Sequence, residues 1–324
     1  ALFMKNWDDD DGSPYRSAKE DFMDAVFISD QLEIPLEQVS FSKKYRDNVF
    51  SYFLKELEAG RTPNPDILCN KEIKFKEFYE YAMSKNYDFI ATGHYAYTDN
   101  RNLYKGLDNS KDQSYFLHAI DRSVLEKTLF PLGKLEKEKV REIARDEGLV
   151  TSEKKDSTGI CFIGERPFPE FVGNYLTGNT GNVVNEKQEI IGSHPGLVFY
   201  TLGQRQGLGI GGIRGASDLP WYVAKKNLST NELVCVQGND HPLLFSDELS
   251  TKNLFLLEES LPESFEGTAK VRYRQKDQEC KINIRDDRMF VKFSTPQRSI
   301  TPGQSVVIYD GDRCLGGGEI DAIN

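Results

Sequence analysis

The chain has 324 residues, of which 38% are hydrophobic and 11% aromatic, and its formal net charge is −10. This length exceeds what a single core usually fills, so we expect two or three domains. The excess of acidic residues excludes indiscriminate binding to nucleic acid, because such binding depends on phosphate neutralisation by lysine and arginine. The sequence has no apolar run long enough to cross a bilayer and no signal-like segment. We therefore expect a cytoplasmic protein with no membrane partner, in which any nucleic-acid site is local.

Residues 1–168 alternate short strand-like runs with helical patterns. The chain starts within the apolar run Ala1–Met4, so we expect further residues upstream in the full protein. The predicted helices are 18–31, 45–58 and 71–84, and the predicted strands include 38–41 and 88–93. Strand–helix–strand repeats predict an α/β fold with a doubly wound parallel sheet. Ligands of such sheets bind beyond the carboxyl ends of the strands, which are here Met4–Trp7 and Thr92–Tyr95.

The pattern changes after residue 168. Residues 169–245 contain short β-prone runs interrupted by Gly and Pro, and this pattern predicts a small middle domain. The Gly-rich stretch Gly203–Gly212 has no helix after it, so it is not a dinucleotide fingerprint, and we expect a loop that orders around RNA or over the active site. Residues 246–324 alternate at period two and predict a small antiparallel barrel. Its predicted strands include 270–274, 280–284, 289–293 and 305–309.

The five cysteines are odd in number and scattered without close metal-type pairs. This usage predicts a reducing compartment and argues against a disulfide framework or a zinc site, so we predict no metal site on the protein. Cys69 and Cys161 each lie in a polar, turn-rich, charged segment. A reactive thiol needs partial exposure and positive surroundings, so these two are candidates for chemistry. Cys235, Cys280 and Cys314 lie on apolar strand-like runs, and we expect them to pack in cores.

Several polar groups have two interpretations. His94, at the predicted sheet edge, is either a histidine satisfied by its neighbours or a site residue, and the edge favours the site. Lys111–Gln113 is either a turn or a ligand contact. Arg272 and Arg274 share one face of a predicted strand, with Tyr273 on the other, which suits phosphate contact and base stacking or a charged solvent face. His118, His194 and His241 are expected to be structural or at the surface. The charged run 134–139 is expected to be a solvated helix face.

Nine motifs follow one another along the chain. They are Phe3–Trp7, Gly60–Lys71, Thr92–Tyr95, Lys111–Tyr115, Asp156–Glu165, Gly203–Arg205, Arg272–Gln275, Thr301–Gln304 and Leu315–Gly318. In this order and combination the chain resembles the tRNA-specific 2-thiouridylase family over essentially its whole length. These bacterial and mitochondrial enzymes place sulfur on the wobble uridine of certain tRNAs. The family's phosphate-binding loop, Ser-Gly-Gly-x-Asp-Ser, is not in the sequence and would precede Ala1.

The resemblance implies the fold and the activity. It implies a PP-loop catalytic domain of the adenine nucleotide alpha hydrolase type over 1–168, a central tRNA-contacting domain over 169–245 and a C-terminal β-barrel over 246–324. It implies an ATP- and Mg2+-dependent tRNA-uridine 2-sulfurtransferase that adenylates the C2 oxygen of the uridine and replaces it with sulfur. Its tRNA substrates would be glutamate, glutamine and lysine acceptors, and its sulfur would come from a persulfide-donating relay protein or a cysteine desulfurase.

The resemblance also implies the roles of particular residues. Cys161 would carry the persulfide and Cys69 would be the nucleophile, with a Cys69–Cys161 disulfide as by-product. Asp66 would contact the base or handle a proton. The nearby Lys71, Lys154 and Lys155 would favour the thiolates. Met4 and Gly93 would bind ATP. The residues expected to contact tRNA are Asn64, Pro65, Asp66, His94, Lys111, Asp112, Gln113, Arg272, Tyr273 and Gln304.

Two alternatives remain from the sequence. One is an inactive tRNA-binding protein without the phosphate loop. The other is an ATP pyrophosphatase of the same sheet type that acts on a small molecule, against which the middle domain and the barrel argue, because a small substrate does not need them.

Overall fold

The computed structural model describes residues 1–7, 18–154, 167–211 and 217–323. The acidic run 8–11, Lys155 and the motif Asp156–Glu165, which contains Cys161, lie outside the described residues. No helix within the described ranges is long and apolar enough to cross a membrane.

The first part of the chain pairs short parallel strands through helices. β1 (Leu2–Lys5) runs parallel to β2 (Glu37–Ser40), and helix α1 (Ala18–Gln31) connects them. β3 (Ile90–Ala91) runs parallel to β6 (Thr128–Leu129). This is the α/β arrangement that the sequence predicts. Helix α1 has the predicted bounds, whereas β3 is shorter than the predicted strand.

Two helical runs follow β2. They comprise α2 (Ser42–Tyr45), a π-helical segment (Arg46–Phe50) and α3 (Ser51–Glu58), and then α4 (Pro65–Leu68), a π-helical segment (Cys69–Glu77) and α5 (Phe78–Ser84). The second run begins six residues before the predicted helix 71–84. The Asn64 side chain caps it by accepting a hydrogen bond from the Asp66 N–H at 3.1 Å, and Pro65 takes the first helical position. Cys69 therefore lies inside a helix.

The remaining elements of this part are short. They are β4 (Ala96–Thr98), β5 (Leu103–Lys105), α6 (Ser114–Leu117), α7 (Arg122–Leu125), α8 (Lys137–Asp146) and α9 (Phe168–Gly173). Helix α8 buries none of its residues, as expected for a solvated face, but it begins at Lys137, so residues 134–136 of the predicted helix face 134–139 are not helical. Helix α9 packs Phe171 and Val172 into the core formed by the helical run 42–58.

The middle domain is a four-stranded sheet in the order β8-β7-β10-β9. Its strands are β7 (Gly181–Val184), β8 (Ile190–His194), β9 (Trp221–Asn227) and β10 (Glu232–Gln237), with a 3-10 turn at Leu197–Phe199. The β7–β10 pair is parallel and the other two pairs are antiparallel. Cys235 lies in its core, as predicted, and burial raises the pKa of its thiol to about 12.

The C-terminal part is a closed antiparallel barrel. A 3-10 turn (Pro242–Leu244) precedes β11 (Phe245–Leu256), β12 (Ser264–Lys270), β13 (Gln278–Arg285), β14 (Arg288–Arg298), β15 (Ser305–Asp310) and β16 (Arg313–Ile323). Pairing of β11 with both β14 and β16 closes the sheet. The predicted strand 270–274 is wrong, because β12 ends at Lys270 and the chain turns there, with Arg274 at φ +62°.

The first part and the barrel share a core. The hairpin β4–β5 extends the barrel sheet, since Tyr104 and Leu103 pair with Arg313 and Cys314 of β16. A single hydrophobic cluster also joins Ile67, Phe75 and Tyr115 to the barrel residues Val307, Tyr309 and Cys314. The helix that carries Asp66 and Cys69 is therefore packed directly against the barrel.

Candidate active site

The segment Gly60–Asp66 connects α3 to α4 and is bonded to the barrel. The Thr62 N–H donates to the Pro302 carbonyl at 2.9 Å, and the Gln304 side-chain amide donates to the Thr62 carbonyl at 2.7 Å. Asp66 follows as the second residue of α4, where a helix N-terminus favours a carboxylate. The Asn64–Pro65–Asp66 motif is thus a helix start, and the Asn64 side chain is used as its cap.

A cavity of about 460 Å³ opens beside this segment. Asn64, Pro65 and Asp66 line it together with Gln304 of the barrel and Gln204 of the middle domain. Further walls are apolar and aromatic: Phe53, Leu57, Phe116, Phe168 and Phe199. Aromatic faces with a few convergent amides and a carboxylate suit an unstacked base, which proteins hold by stacking and by hydrogen bonds to its edge.

Cys69 lies behind the wall of this cavity. It is three residues after Asp66 on the same helical run, and it packs in one cluster with Phe53 and Leu57, which line the cavity. The expectation of a partly exposed thiol is wrong, because Cys69 is only 1% exposed. Two of the three expected lysines contact other groups, and the third, Lys155, lies outside the described residues. Lys71 lies over the Phe255 ring at 5.6 Å, and Lys154 forms ion pairs with two acidic residues of α1.

The two residues expected to bind ATP lie where the parallel strands end. Met4 is on β1 and packs against the cluster around Phe50, whereas Gly93 follows β3. Among the described residues, a Cβ at Gly93 would meet the Leu132 side chain at 3.8 Å and no closer atom, so a ligand can approach this backbone closely. The described residues contain no group of three His, Cys, Asp or Glu that could hold a metal ion.

In the motif Lys111–Gln113, the side chains of Asp112 and Gln113 bond to other parts of the protein. Asp112 is 5% exposed and accepts hydrogen bonds from the backbone N–H groups of Gly106 and Ser114, while Lys270 of the barrel forms an ion pair with it at 3.3 Å. The Gln113 side-chain oxygen accepts a hydrogen bond from the Tyr95 N–H at 3.0 Å. The buried Asp112 carboxylate does not face solvent. Contact of this motif with tRNA stays a prediction for Lys111, Gln113 and the backbone.

His94 is buried between Phe75 and Phe130 and shares a hydrogen bond with Thr92 at 2.8 Å. Burial, with a smaller effect of Lys74, lowers the pKa of His94 well below its ordinary value, so the ring is neutral. Its contact with tRNA stays a prediction, and its surroundings are those of a packed histidine. Of the other histidines, His118 and His194 are buried and His241 caps the turn at Pro242–Leu244, as structural residues do.

Arg272 and Tyr273 lie in the turn after β12. The Arg272 guanidinium donates to the carbonyls of Leu202 and Ser299, at 3.4 and 2.5 Å, so it links the middle domain to the barrel. Burial lowers its pKa. The shared-face argument for the two arginines is wrong, because the turn exposes Arg274 and half-buries Arg272. Tyr273 packs on Phe116, with ring centroids 4.4 Å apart, and thus supports a wall of the cavity.

Sequence reasoning missed the aromatic residues that line the cavity. Phe116, Phe168 and Gln204 come from three separate segments, and only Gln204 lies in a motif that the sequence analysis singled out. The buried Asn70 donates to the Phe116 carbonyl at 3.2 Å and so holds that ring against the helix of Cys69. A local signal existed for the helix start, since Asn followed by Pro at the first helical position is a typical N-terminal pattern.

Comparison with known families agrees with this architecture. The model of the tRNA methyl transferase HUP domain matches residues 1–165, that of the tRNA methyl transferase PRC-barrel domain matches 169–237, and that of the aminomethyltransferase β-barrel domain matches 246–320. The chain is thus a three-part protein in which a HUP domain, with its α/β fold, precedes a PRC-barrel domain and a closed β-barrel.

Full-length relatives identify the family. The chain is 55% identical to the tRNA-specific 2-thiouridylase MnmA of Hahella chejuensis over 99% of this chain and 90% of the relative. It is 53% identical to that of Pseudomonas putida, over 99% and 87%, and 52% identical to that of Francisella philomiragia, over 98% and 91%. The chain belongs to the tRNA-specific 2-thiouridylase family, as its motifs indicated.

Proposed function

We propose that the protein is an ATP-dependent tRNA 2-thiouridylase, which replaces the C2 oxygen of the wobble uridine in tRNA with sulfur. The observation that carries this proposal is the cavity of about 460 Å³ lined by Asp66, Phe116 and Gln304, at the start of the helix that holds Cys69. Its volume lies in the range of ligand pockets, and all three parts of the chain contribute to its walls. Relatives that carry this name, and that this chain matches over 90% and 87% of their length, support it.

In this proposal the cavity receives the uridine after it leaves the anticodon stack. Phe116 and Phe168 provide aromatic faces for the base, and the amides of Gln204 and Gln304 suit its carbonyl and N–H edge. Asp66 contacts the base at the N-terminus of α4 and handles its proton. Asn64 contributes through the cap that sets the direction of this helix start.

ATP with Mg2+ supplies the chemistry that turns the C2 oxygen into a leaving group, and Met4 and Gly93 would hold the nucleotide at the strand ends. The terminal sulfur of a persulfide on Cys161 then bonds to C2 as the activated oxygen departs. The Cys69 thiolate attacks Sγ of Cys161, the bond between Cys161 and the transferred sulfur breaks, and its electron pair stays on the sulfur of 2-thiouridine. A Cys69–Cys161 disulfide remains. Because Cys69 is buried, its packing must open for this step.

We infer further that the tRNA substrates are glutamate, glutamine and lysine acceptors, and that a persulfide-donating relay protein or a cysteine desulfurase loads Cys161. A cytoplasmic setting agrees with two thiols that must be reduced between turnovers. We place the domain boundaries after residues 168 and 245, and the ranges matched by the three family models support this division.

Purified full-length protein, incubated with tRNA, ATP, Mg2+ and a persulfide donor, tests the function through the formation of 2-thiouridine. We expect Cys69→Ser and Cys161→Ser each to abolish thiolation, only Cys161→Ser to prevent persulfide loading, and both to retain AMP release in the presence of tRNA. Cys280→Ala, a core cysteine of the barrel, is the matched control and should retain thiolation. Wild-type thiolation in either site variant would exclude the proposed relay.

The same assay separates the two alternative functions. An inactive tRNA-binding protein would bind tRNA without AMP release. A pyrophosphatase for small molecules would release AMP without tRNA when its own substrate is added.

A further inference from the structure

The segment Gly60–Thr62 separates two cavities. On one side lies the cavity assigned to the base, and on the other a larger one of about 730 Å³. Thr62 lines both. The larger cavity is formed by all three parts of the chain, with Gly60 and Arg61 facing Lys226 and Leu228 of the middle domain and Phe245 and Pro302 of the barrel region.

Lys226 reaches across this larger cavity to the segment. Its Nζ donates to the Gly60 carbonyl at 3.1 Å. The neighbouring Leu228 packs on the same residue so closely that a Cβ at Gly60 would lie 2.5 Å from Leu228 Cδ2. Gly60 adopts φ +75°, which other residues rarely adopt. The middle domain therefore contacts the start of the segment through one polar and one apolar side chain.

Lys226 has an unusual environment for a lysine. Burial lowers its pKa to about 8, and no charged group of the described residues offsets this effect. The other charged residues that line the larger cavity are Glu186, Arg61 and the exposed Lys225. Burial of an ammonium without an acid partner costs stability, and the hydrogen bond to Gly60 offsets only part of that cost. A charged donor does, however, hold a carbonyl more firmly than a neutral one.

We propose that Lys226 is a positioning residue for thiolation, which fixes the Gly60 carbonyl and thereby holds Asp66 at the base cavity. This inference rests on the proposed function. The link between the two residues is short and stiff, because Pro63 and Pro65 restrict the backbone between them and Thr62 is bonded to the barrel on both its N–H and its carbonyl. The barrel thus fixes the middle of the link and Lys226 fixes its start, so loss of the Lys226 contact loosens the start of the segment that leads to Asp66.

The test compares Lys226→Met with Lys225→Met, the matched control on the adjacent exposed position of β9. We expect Lys226→Met to lower the single-turnover rate of thiolation at saturating tRNA about tenfold, since small misplacements of reacting groups have effects of this size or larger. The dissociation constant for tRNA should stay unchanged, and Lys225→Met should match wild type in rate. Lys226→Arg, which keeps a charged donor, should recover most of the rate.

Two further measurements keep the test independent of folding and of the overall function. Adding propylamine to Lys226→Ala restores the missing ammonium within one variant, and we expect its rate to rise several-fold. Hydrogen exchange of the peptide that spans residues 57–68 should be faster in Lys226→Met than in Lys225→Met. This measurement reports the contact between Lys226 and Gly60 without any thiolation activity. If the wild-type protein makes no 2-thiouridine, the proposed function is refuted but the role of Lys226 in holding the segment is still tested.

Three results would overturn the positioning role. One is a Lys226→Met rate equal to that of wild type. A second is weaker tRNA binding with an unchanged saturated rate, which would assign Lys226 to an RNA phosphate. The third is unchanged hydrogen exchange in residues 57–68 together with no effect of propylamine.

Discussion

Asp66 and Cys69 are one helical turn apart, yet the chain surrounds them in opposite ways. Asp66 opens onto a cavity, and the segment before it is held by hydrogen bonds from the middle domain and the barrel. Cys69 is sealed in an apolar cluster with Phe53 and Leu57. The difference teaches that, under the proposed function, the base would meet a preformed cavity, whereas the thiol would become available only when its packing opens. The proposed function then implies that substrate binding and sulfur transfer are separate events.

The strongest test of this contrast is Asp66→Ala. If the carboxylate acts on the base, thiolation at saturating tRNA should fall on the order of 100-fold, in line with the loss of a positioned acid–base group. Binding of tRNA should change little, since a single base contact contributes little beside many phosphate contacts. Single-turnover rates and tRNA titrations measure the two effects separately. A large loss of affinity with normal saturated turnover would contradict the assignment.

The sealed state of Cys69 is tested by Phe53→Ala. Phe53 is 1% exposed and packs on Phe50 and Phe168. Its truncation should lower the free energy of unfolding by about 3–5 kcal/mol and open a path to the thiol. Alkylation of Cys69 by a maleimide under native conditions, followed by peptide mass mapping, should become faster. Phe293→Ala in the barrel core is the control, with a similar loss of stability and no selective effect on Cys69.

The ion pair of Glu56 with Arg61, the second residue of the segment Gly60–Asp66, is tested by changing the pH. Burial alone would raise the pKa of Glu56, but hydrogen bonds with Arg61, Glu319 and Lys252 outweigh it and lower the pKa to about 2. This carboxylate therefore contributes stability above its unfolded pKa near 4.5, which is lost as the pH falls from about 4.5 towards 2. In Glu56→Gln this acid-induced loss of stability should shrink. Urea unfolding at several pH values measures the free energy of unfolding. If this free energy falls with decreasing pH as steeply in Glu56→Gln as in wild type, Glu56 is not the group responsible.

The smallest expected effect concerns the turn after β12. There Arg272 is held by hydrogen bonds and Arg274 is exposed, a contrast similar to that between Cys69 and Asp66. Arg274→Ala should flatten the salt dependence of tRNA binding by a slope of about 0.7, the value for one phosphate contact with unpaired RNA. Arg272→Ala should instead lower thermal stability, because it removes the donor to Leu202 and Ser299. An unaltered slope in Arg274→Ala would make this arginine an ordinary solvated residue.

Local patterns were sufficient for much of the fold. Helix α1 has the predicted bounds, the strands β13, β14 and β15 contain the predicted runs, and Cys280 and Cys314 are buried as expected. The predictions failed where a local pattern competes with a cap or a turn. Asn64 starts its helix earlier than apolar periodicity indicates, and the chain turns after Lys270 although alternation continues. Periodicity does not report such boundaries.

The sequence by itself determined the family, the order of the three parts and the motifs that meet at the site, because these depend on residue types and short spacings. Only the tertiary structure decided that Cys69 is sealed, that Gln304 bonds to a carbonyl 242 residues away and that Phe116 and Phe168 face one cavity. Lys226 shows the same limit, since its sequence neighbours do not reveal that it reaches Gly60. Contacts between distant segments arise from the packing of whole domains, and no local pattern encodes which side chains will meet there.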